Sequence, residues 1–327
     1  MAVGWSAAAA GARSPLLLRW AGGSWQVLDG PGLLGSAELA AVSCWNGQGC
    51  LAVGVREAAR TQAVLAETWD GTSWRLTGPV QPPGAATARF YGVWCRAARS
   101  CMAVGDYAQR SGRVFSLAEV WSGNRWRVLT VPSPSAGISA VLDAVWCADA
   151  MCLAVGKYTP HSGPCTCRIL AEGWNGGRWE ILSTPEPVGP RLWSALQAIS
   201  CTSVTVCLAV GTAQSTTLGS TPIAEQWQSG TWRVVPIPNL IRMLGGDLDG
   251  VSCAGRVGCL AVGSVLGSGP IAARWDGARW QDLSVPSSVP ETLNAVSCAA
   301  GSCIAVGSIN DARQPYPRPL TVRWGSS

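Results

Sequence analysis

Cysteine is the residue whose spacing in this sequence most clearly indicates chemistry. Twelve of the 14 cysteines form close pairs, and the second member of each pair lies two residues before the alanine of an Ala-Val-Gly tripeptide. The pairs are Cys44/Cys50, Cys95/Cys101, Cys147/Cys152, Cys201/Cys207, Cys253/Cys259 and Cys298/Cys303. Two such thiols can form a disulfide, remain reduced as small buried side chains, or supply two ligands to zinc. Zinc is disfavoured because each pair offers only two ligands and neighbouring pairs lie far apart in sequence.

The other two cysteines, Cys165 and Cys167, lie beside the only histidine, His161, in the segment His-Ser-Gly-Pro-Cys-Thr-Cys. This spacing offers three metal ligands, but it occurs once and lacks a fourth. We therefore expect no metal there and favour a local or intermolecular disulfide. His161 is also the only possible base of a Ser-His-Asp triad, and its loop has none of the features of such a site.

Four glutamates recur at one place in the sequence, within Leu-Ala-Glu-x-Trp or Ile-Ala-Glu-x-Trp. They are Glu67, Glu119, Glu172 and Glu225. Glycoside hydrolysis needs two carboxylates placed on either side of one sugar linkage. A residue that recurs in register is structural by default, because an active site is asymmetric. We therefore lean towards a protein that is not an enzyme, and we expect no cofactor.

These residues belong to a repeat that covers nearly the whole chain. Ala-Val-Gly occurs at residues 2–4, 52–54, 103–105, 154–156, 209–211, 261–263 and 305–307, and it alternates with Trp-x4-Trp. The period is about fifty residues, which is typical of propellers, solenoids and tandem arrays. Residues 1–327 are therefore expected to form one domain.

Residues 39–77 show how one repeat is expected to fold. Four short apolar segments, LAAVSC, CLAVGV, VLAETW and WRLT, are separated by polar turns and loops. Such spacing predicts an all-β fold, and no segment keeps the 3.6-residue period of a helix. We name these strands a, b, c and d. Four antiparallel strands per repeat, arranged radially, form the blade of a β-propeller. The tryptophans at the c–d turn are expected to seal the gap to the next blade rather than to form a sugar-binding surface.

The two cysteines of each pair bracket the a–b turn, where antiparallel pairing places them side by side. We therefore predict six disulfides, one per pair, with buried free thiols as the alternative. Disulfides indicate an oxidising compartment, so the protein is expected to be extracellular or on the cell surface. The sequence contains no cluster of Lys and Arg and no apolar run long enough to cross a bilayer. Neither nucleic acid nor a membrane span is expected.

The order of these motifs resembles the Asp-box repeats of bacterial neuraminidase propellers and, more closely, the repeats of photosystem II assembly factors. Asp70, Gly71 and Trp74 match best, and the aspartate recurs only at Asp276. The sequence looks closer still to a cysteine-containing variant of such repeats in secreted or surface actinobacterial proteins. The resemblance covers the whole chain and implies a β-propeller. The Asp-box is a folding device and implies no chemistry, and the Arg-Ile-Pro signature of sialidases is absent.

The number of blades follows from counting strands. From Met1 the chain supplies b, c and d, then five complete sets, then a, b and c. We therefore expect a seven-bladed β-propeller of four-stranded antiparallel blades, with an incomplete N-terminal blade. On this interpretation Met1 is a mis-called start, and the missing d and a strands, with a secretion signal, lie upstream of it. A six-bladed propeller with two spare strands is the alternative.

In a blade, the b–c loops and the d–a connections lie on one face, which we call the loop face. These segments vary between repeats, and binding residues usually lie on variable loops held by a rigid frame. The candidate binding residues are Tyr107, Arg110, Arg113, Tyr158, Arg313 and Tyr316. The sequence favours a non-catalytic, monomeric protein that binds a protein or a glycan through the loop face. A glycan-active enzyme (a sialidase-like hydrolase or lyase) and an assembly factor are the alternatives.

Overall fold

Each repeat of the sequence folds into one antiparallel sheet whose strands follow one another in chain order. The structure is a computed structural model that describes residues 1–7, 11–33, 35–45, 47–58, 61–135, 137–160, 166–187, 191–215, 219–238, 245–255, 258–265, 268–285, 291–299, 301–310 and 316–325. Within these ranges there are 26 strands in seven sheets, and no helix that could cross a membrane. The predicted seven-bladed β-propeller is confirmed, and the six-bladed alternative is wrong.

In the described ranges, blades 2 to 6 have four strands each, blade 1 has strands b, c and d, and blade 7 has strands a, b and c. Blade 1 consists of β1 (Ala2–Ala7), β2 (Arg13–Ala21) and β3 (Ser24–Val27). Blade 2 consists of β4 (Ala37–Trp45), β5 (Gly49–Ala58), β6 (Thr61–Trp69) and β7 (Trp74–Thr77). Blade 3 consists of β8 (Ala85–Ala97), β9 (Ser100–Gln109), β10 (Val114–Trp121) and β11 (Trp126–Val128). Blade 4 consists of β12 (Gly137–Ala148), β13 (Met151–Pro160), β14 (Arg168–Trp174) and β15 (Trp179–Leu182). Blade 5 consists of β16 (Arg191–Ser203), β17 (Val206–Ser215), β18 (Gly219–Gln228) and β19 (Thr231–Val234). Blade 6 consists of β20 (Asp247–Cys253), β21 (Cys259–Val265), β22 (Gly269–Trp275) and β23 (Trp280–Leu283). Blade 7 consists of β24 (Glu291–Ala299), β25 (Ser302–Ile309) and β26 (Arg318–Trp324). The chain divides into two compact units, Met1–Ala154 with Glu172–Ile181 and Val155–Ala171 with Leu182–Ser327.

One row of four side chains crosses blade 2 close to its turns. Cys44 pairs with Cys50 across the a–b hairpin, Cys50 pairs with Trp69, and Trp69 pairs with Trp74. The two sulfurs are bonded, so the disulfide joins strands a and b beside the tryptophans of the c–d turn.

All six predicted disulfides are present, one in each of blades 2 to 7. Besides the bond in blade 2, they join Cys95 to Cys101, Cys147 to Cys152, Cys201 to Cys207, Cys253 to Cys259, and Cys298 to Cys303. The prediction of six disulfides is therefore confirmed, and the alternative of buried free thiols is wrong for these twelve cysteines.

The two tryptophans of a c–d turn contact each other in the interface with a neighbouring blade. In blade 3 the ring centroids of Trp121 and Trp126 are 5.3 Å apart, and both side chains are buried. Trp126 stacks on Phe90 and donates a hydrogen bond from Nε1 to Oγ1 of Thr77 in blade 2, at 3.0 Å. These tryptophans are core residues, as predicted. In blade 3 they pack against side chains of the preceding blade, whereas the prediction placed them against the next one.

A bulge in strand a explains the glycine of Ala-Val-Gly. In blade 3 Phe90 pairs with Gly105 and Gly92 pairs with Val104, so Tyr91 is the extra residue. At the bulge the backbone of strand a approaches strand b so closely that a Cβ on Gly105 would lie 1.9 Å from the carbonyl oxygen of Arg89. The corresponding distances for Gly54, Gly211, Gly263 and Gly307 are 1.8–2.1 Å. Only glycine fits such an approach of two backbones.

The c–d turns are closed by a side chain that accepts backbone hydrogen bonds. Oδ1 of Asp70 accepts from the N–H groups of Thr72 and Ser73, at 2.9 and 2.8 Å. Oδ1 of Asn175 accepts in the same way from the N–H groups two and three residues further on. These hydrogen bonds hold the pKa of the Asp70 carboxyl well below its usual value. Asp70 therefore stabilises its turn, and Asn175 plays the same part in blade 4.

Candidate ligand-binding face

An aromatic and cationic stack lies on the b–c hairpin of blade 3. Tyr107 and Phe115 pair across β9 and β10, and their rings stack with centroids 5.3 Å apart. The guanidinium of Arg113 lies 5.0 Å from the centroid of the Phe115 ring, and it donates a hydrogen bond to the Gly137 carbonyl at 3.5 Å. Tyr107 is half-buried against the core, whereas Arg113 is exposed. Two of the predicted binding residues are thus brought together by Phe115, which the sequence pattern did not single out.

A depression of about 330 Å³ lies on the loop face between blades 2 and 3. Arg56 and Arg110 provide its charge, and Thr61 and Gln81 add a hydroxyl and an amide. The rest of its lining is apolar and consists of Ala63, Val64, Pro79, Ala85 and Ala86. Val64 also belongs to the hydrophobic cluster against which Tyr107 of the stack packs. We call this feature the Arg56–Arg110 depression. It contains the predicted residue Arg110 and adds Arg56, from another repeat, to the site.

The remaining predicted residues lie elsewhere. Tyr158 is half-buried near the end of β13, and Tyr316 is 50% exposed ahead of β26. Arg313, His161 and Cys165 lie outside the described residues. Cys167 is a free thiol whose Sγ lies 3.4 Å from Oγ1 of Thr159. Among the residues that the structure describes, no group of three or more His, Cys, Asp or Glu side chains could hold a metal ion.

The disulfide cysteines of strand b are buried rather than presented to a ligand. Cys101, Cys152 and Cys303 are 3%, 6% and 5% exposed. Each is bonded to its partner at the a–b turn, and the a–b turns and the loop face lie at opposite ends of the blade. These cysteines therefore brace the hairpins.

The linker between blades 2 and 3 is anchored by a buried glutamate. Oε2 of Glu119 accepts a hydrogen bond from the Val80 N–H at 3.0 Å. Val80 lies between Pro79 and Gln81, both of which line the Arg56–Arg110 depression. In the sequence, all five other linkers carry a proline at the corresponding place, six residues after the second tryptophan: Pro31, Pro132, Pro185, Pro238 and Pro286. Because proline has no N–H to donate, those linkers cannot be anchored in this way.

The four repeated glutamates are buried. Burial raises the pKa of Glu67 and Glu119 to about 7, and that of Glu172 and Glu225 to about 8. Oε1 of Glu172 accepts a hydrogen bond from Oγ of Ser116 in the preceding blade, at 3.3 Å. Within the described part of the chain, the carboxyl oxygens of Glu67 and Glu225 have no hydrogen-bond partner. Protonation avoids the free-energy cost of an unpaired buried charge.

The bulges of strand a present side chains that differ from blade to blade. The extra residues are Ala40, Tyr91, Gln197, Asp249 and Asn294. The residue before each of them is a buried Leu or Phe. A variable side chain on a repeated frame is a functional candidate, and sequence reasoning missed this set. The signal that could have revealed it is the variable position that follows this Leu or Phe in every repeat.

The bulge residue of blade 3 belongs to a polar network. The Tyr91 hydroxyl forms a hydrogen bond with Asp106, and the Asp106 carboxylate lies 3.3 Å from Nε of Arg89. Burial, followed by the charge of Asp106, raises the pKa of the Tyr91 phenol. The Tyr91 phenol therefore keeps its proton at neutral pH and donates it in a hydrogen bond to Asp106.

The bulge residue of blade 6 has a carboxylate neighbour. Asp247 lies two residues before Asp249 on β20, and burial, followed by repulsion from Asp247, raises the pKa of Asp249 to about 6. Oδ1 of Asp249 accepts a hydrogen bond from Nε2 of Gln197 at 3.1 Å, and Gln197 in turn accepts one from Thr212 at 3.0 Å. A carboxyl group with a raised pKa is one property of a glycosidase general acid.

Solved structures with the same architecture come from proteins of different function. No protein-family model and no curated protein matches the sequence. An α-L-arabinanase of Penicillium chrysogenum complexed with arabinobiose is 8% identical, with a TM-score of 0.54 over 88% of this chain and 93% of that one. The GH93 α-L-arabinofuranosidase of Fusarium graminearum with arabinobiose is 10% identical, with a TM-score of 0.52 over 87% and 93%. YCF48 bound to D1 peptide is 14% identical, with a TM-score of 0.49 over 83% and 75%. The similarities to the arabinanase and the arabinofuranosidase show the fold alone.

Proposed function

We propose that this chain is a non-catalytic binding protein that recognises a glycan or a protein through the loop face of blades 2 and 3. The observation that carries the proposal is the stack of Tyr107, Phe115 and Arg113 beside the Arg56–Arg110 depression. Aromatic rings and arginines provide much of the binding energy at recognition surfaces. Here the frame that holds them is rigid, because both strands of the hairpin are paired within a disulfide-linked sheet.

The six disulfides support a place outside the cell. Cytosolic thiols are kept reduced, whereas secreted and surface proteins keep their disulfides. We therefore propose that the protein is secreted or displayed at the cell surface as a monomer. In this proposal the chain belongs to the cysteine-containing class of Asp-box-like propeller repeats.

A glycan and peptide array tests the binding function. The oxidised protein is applied to immobilised neutral glycans, acidic glycans and peptides, alongside the variants Arg113→Gln and Arg125→Gln. Arg125 is an exposed arginine at the c–d turn of the same blade, on the opposite face, and it is the matched control. We expect selective binding whose affinity falls about tenfold in Arg113→Gln, because one favourable charged contact is lost. The affinity of Arg125→Gln should be unchanged.

Three outcomes overturn the proposal. The first is that the wild-type protein binds none of the probes. The second is that binding falls in Arg125→Gln but not in Arg113→Gln, and the third is that the bound glycan is cleaved. Thermal melting of both variants verifies that they fold, so that a loss of binding is not mistaken for unfolding.

A glycoside hydrolase is the second candidate, and Asp249 is the observation that favours it. The arabinanase and arabinofuranosidase that share the fold are glycan-active, although their low identity supports no transfer of residues. If Asp249 is a general acid, the wild-type protein releases reducing sugar from arabino-oligosaccharides and Asp249→Asn does not. The absence of release by the wild-type protein, or equal release by both proteins, contradicts this candidate.

A further inference from the structure

We infer that the Arg56–Arg110 depression is a subsite for the carboxylate of a uronic acid, so that the preferred ligand is an acidic polysaccharide. The inference rests on the proposed binding function and specifies its ligand. Two guanidinium groups line the same depression, and no acidic residue of the described chain lines it. Arginine presents planar donors that match a carboxylate, and such charge-assisted hydrogen bonds are stronger than neutral ones.

Neither arginine has an acidic partner among the residues that the structure describes. Among the described residues, ion pairs join Arg75 to Asp70 at 3.2 Å and Arg96 to Asp149 at 3.4 Å. Further pairs are Arg13 with Glu38, Arg168 with Glu186 at 3.7 Å and Arg178 with Glu180 at 2.5 Å. No ion pair within the described part of the chain involves Arg56 or Arg110. Two arginines whose charges are not neutralised attract an anion to the depression, and their guanidinium N–H groups can donate hydrogen bonds to it.

The rest of the lining fits a sugar ring better than a peptide. Small apolar side chains, among them Ala63, Ala85 and Ala86, form a shallow surface on which the C–H groups of a pyranose can lie. The Thr61 hydroxyl and the Gln81 amide are groups that hydrogen-bond to sugar hydroxyls. The volume of about 330 Å³ lies at the lower end of the range for small-ligand sites. Peptide anchors fill deep pockets with large side chains, and the shallow alanine-lined surface offers none.

One wall of the depression is fixed before a ligand arrives. Pro79 and Gln81 flank Val80, whose N–H is held by the buried carboxyl of Glu119 at 3.0 Å. Val64, on the floor, is a buried residue of the hydrophobic cluster between blades 2 and 3. A site that is held in place loses little conformational entropy on binding. The linkers that carry proline in place of Val80 have no N–H to form this bond.

Calorimetric titrations with matched oligosaccharides test the inference. The probes are trigalacturonate and a hyaluronan tetrasaccharide, which carry carboxylates, and galactotriose, which does not; a glutamate-rich peptide serves as the non-sugar acid. We expect at least one uronate probe to bind at least tenfold more tightly than galactotriose and the peptide. Its affinity should fall at least tenfold in Arg56→Gln and in Arg110→Gln, and it should weaken as salt rises. Arg125→Gln should bind like the wild-type protein.

The outcomes separate this inference from the broader proposal. If a neutral glycan or the peptide binds and the uronates do not, the subsite assignment is wrong and the binding function stands. If uronate binding is unaffected by Arg56→Gln and Arg110→Gln, the acidic ligand lies elsewhere and the assignment is wrong. If neither these probes nor the array yields binding, both fail. The two variants change exposed residues, and thermal melting verifies their fold.

Discussion

Gly105 and the carbonyl oxygen of Arg89 are so close that a Cβ at position 105 would lie 1.9 Å from that oxygen. The contact arises because strand a carries an extra residue, Tyr91, opposite the Ala-Val-Gly segment of strand b. Gly4 occupies the same place in blade 1, where the described residues include no strand a, and a Cβ there would meet nothing within 4 Å. The repeated glycine therefore follows from the bulge and not from the hairpin itself.

Replacement of Gly105 by alanine should destabilise the protein, and replacement of Gly4 should not. The methyl group of Gly105→Ala can be accommodated only if the backbone of strand a moves, and we expect a loss of about 3 kcal/mol in the free energy of unfolding. For Gly4→Ala the change should stay within about 0.5 kcal/mol. Guanidinium unfolding with the disulfides intact measures both values. Equal effects at the two positions would show that the bulge does not require glycine.

The sequence was sufficient for the fold because the repeated residues have repeated structural roles. Cysteines on either side of a short turn can pair in only one way in an antiparallel hairpin, and Cys44 and Cys50 do so. Tryptophans on either side of a glycine turn become directly opposed, as Trp69 and Trp74 are. These are local relationships of period and spacing, and they do not depend on how one blade meets the next.

Features that need contacts between repeats were not predictable in the same way. The Arg56–Arg110 depression combines side chains from two blades. Arg110 was predicted from its place in a variable loop, whereas nothing in the sequence linked it to Arg56. The anchoring of Val80 depends on a glutamate from the following blade. Phe115 was missed because an aromatic residue in a strand resembles ordinary core. Which blade the tryptophans would face also depends on the packing of sheets, which spacing alone does not encode.

Removal of a hairpin disulfide should have a modest effect, because the loop that it closes is short. For the double variant Cys44→Ala, Cys50→Ala we expect a loss of roughly 2 kcal/mol in the free energy of unfolding. Cys167→Ala, which removes a free thiol, is the control and should stay within about 0.5 kcal/mol of the wild-type value. Urea unfolding under non-reducing conditions measures the difference. If the double variant equals the wild-type protein, the disulfide does not stabilise blade 2.

Stability should decrease as the pH rises from 5 to 8. The pKa of Glu225 is raised from an ordinary value of 4.5 to about 8 by burial and then by the charge of Glu186. Between these values the native state keeps a proton that the unfolded state has lost. The stabilisation is therefore complete below pH 4.5 and is lost as the pH rises through the native pKa. Each such group lowers the free energy of unfolding by up to about 1.4 kcal/mol per pH unit.

Glu225→Gln tests this pH dependence, because glutamine does not titrate. Urea unfolding of the wild-type protein and the variant at pH 5, 6 and 7 gives the two slopes. The slope of the variant should be shallower by about 1 kcal/mol per pH unit, whatever its absolute stability. Parallel slopes would mean that Glu225 is ionised in the native state or is not buried.

Ser43 should stabilise the contact between blades 2 and 3, because its Oγ accepts a hydrogen bond from the buried Cys95 N–H at 2.9 Å. The serines at the same place in blades 5 and 6 accept equivalent bonds at 2.9 Å, which makes the interaction a repeated link between sheets. Ser43→Ala leaves the N–H without its acceptor, and we expect a loss of about 2 kcal/mol. Ser297 holds the same place in blade 7 but is exposed, so Ser297→Ala should change stability by less than about 0.5 kcal/mol. Hydrogen exchange of the Cys95 amide distinguishes the cause: faster exchange in Ser43→Ala supports the loss of this bond, and unchanged exchange contradicts it.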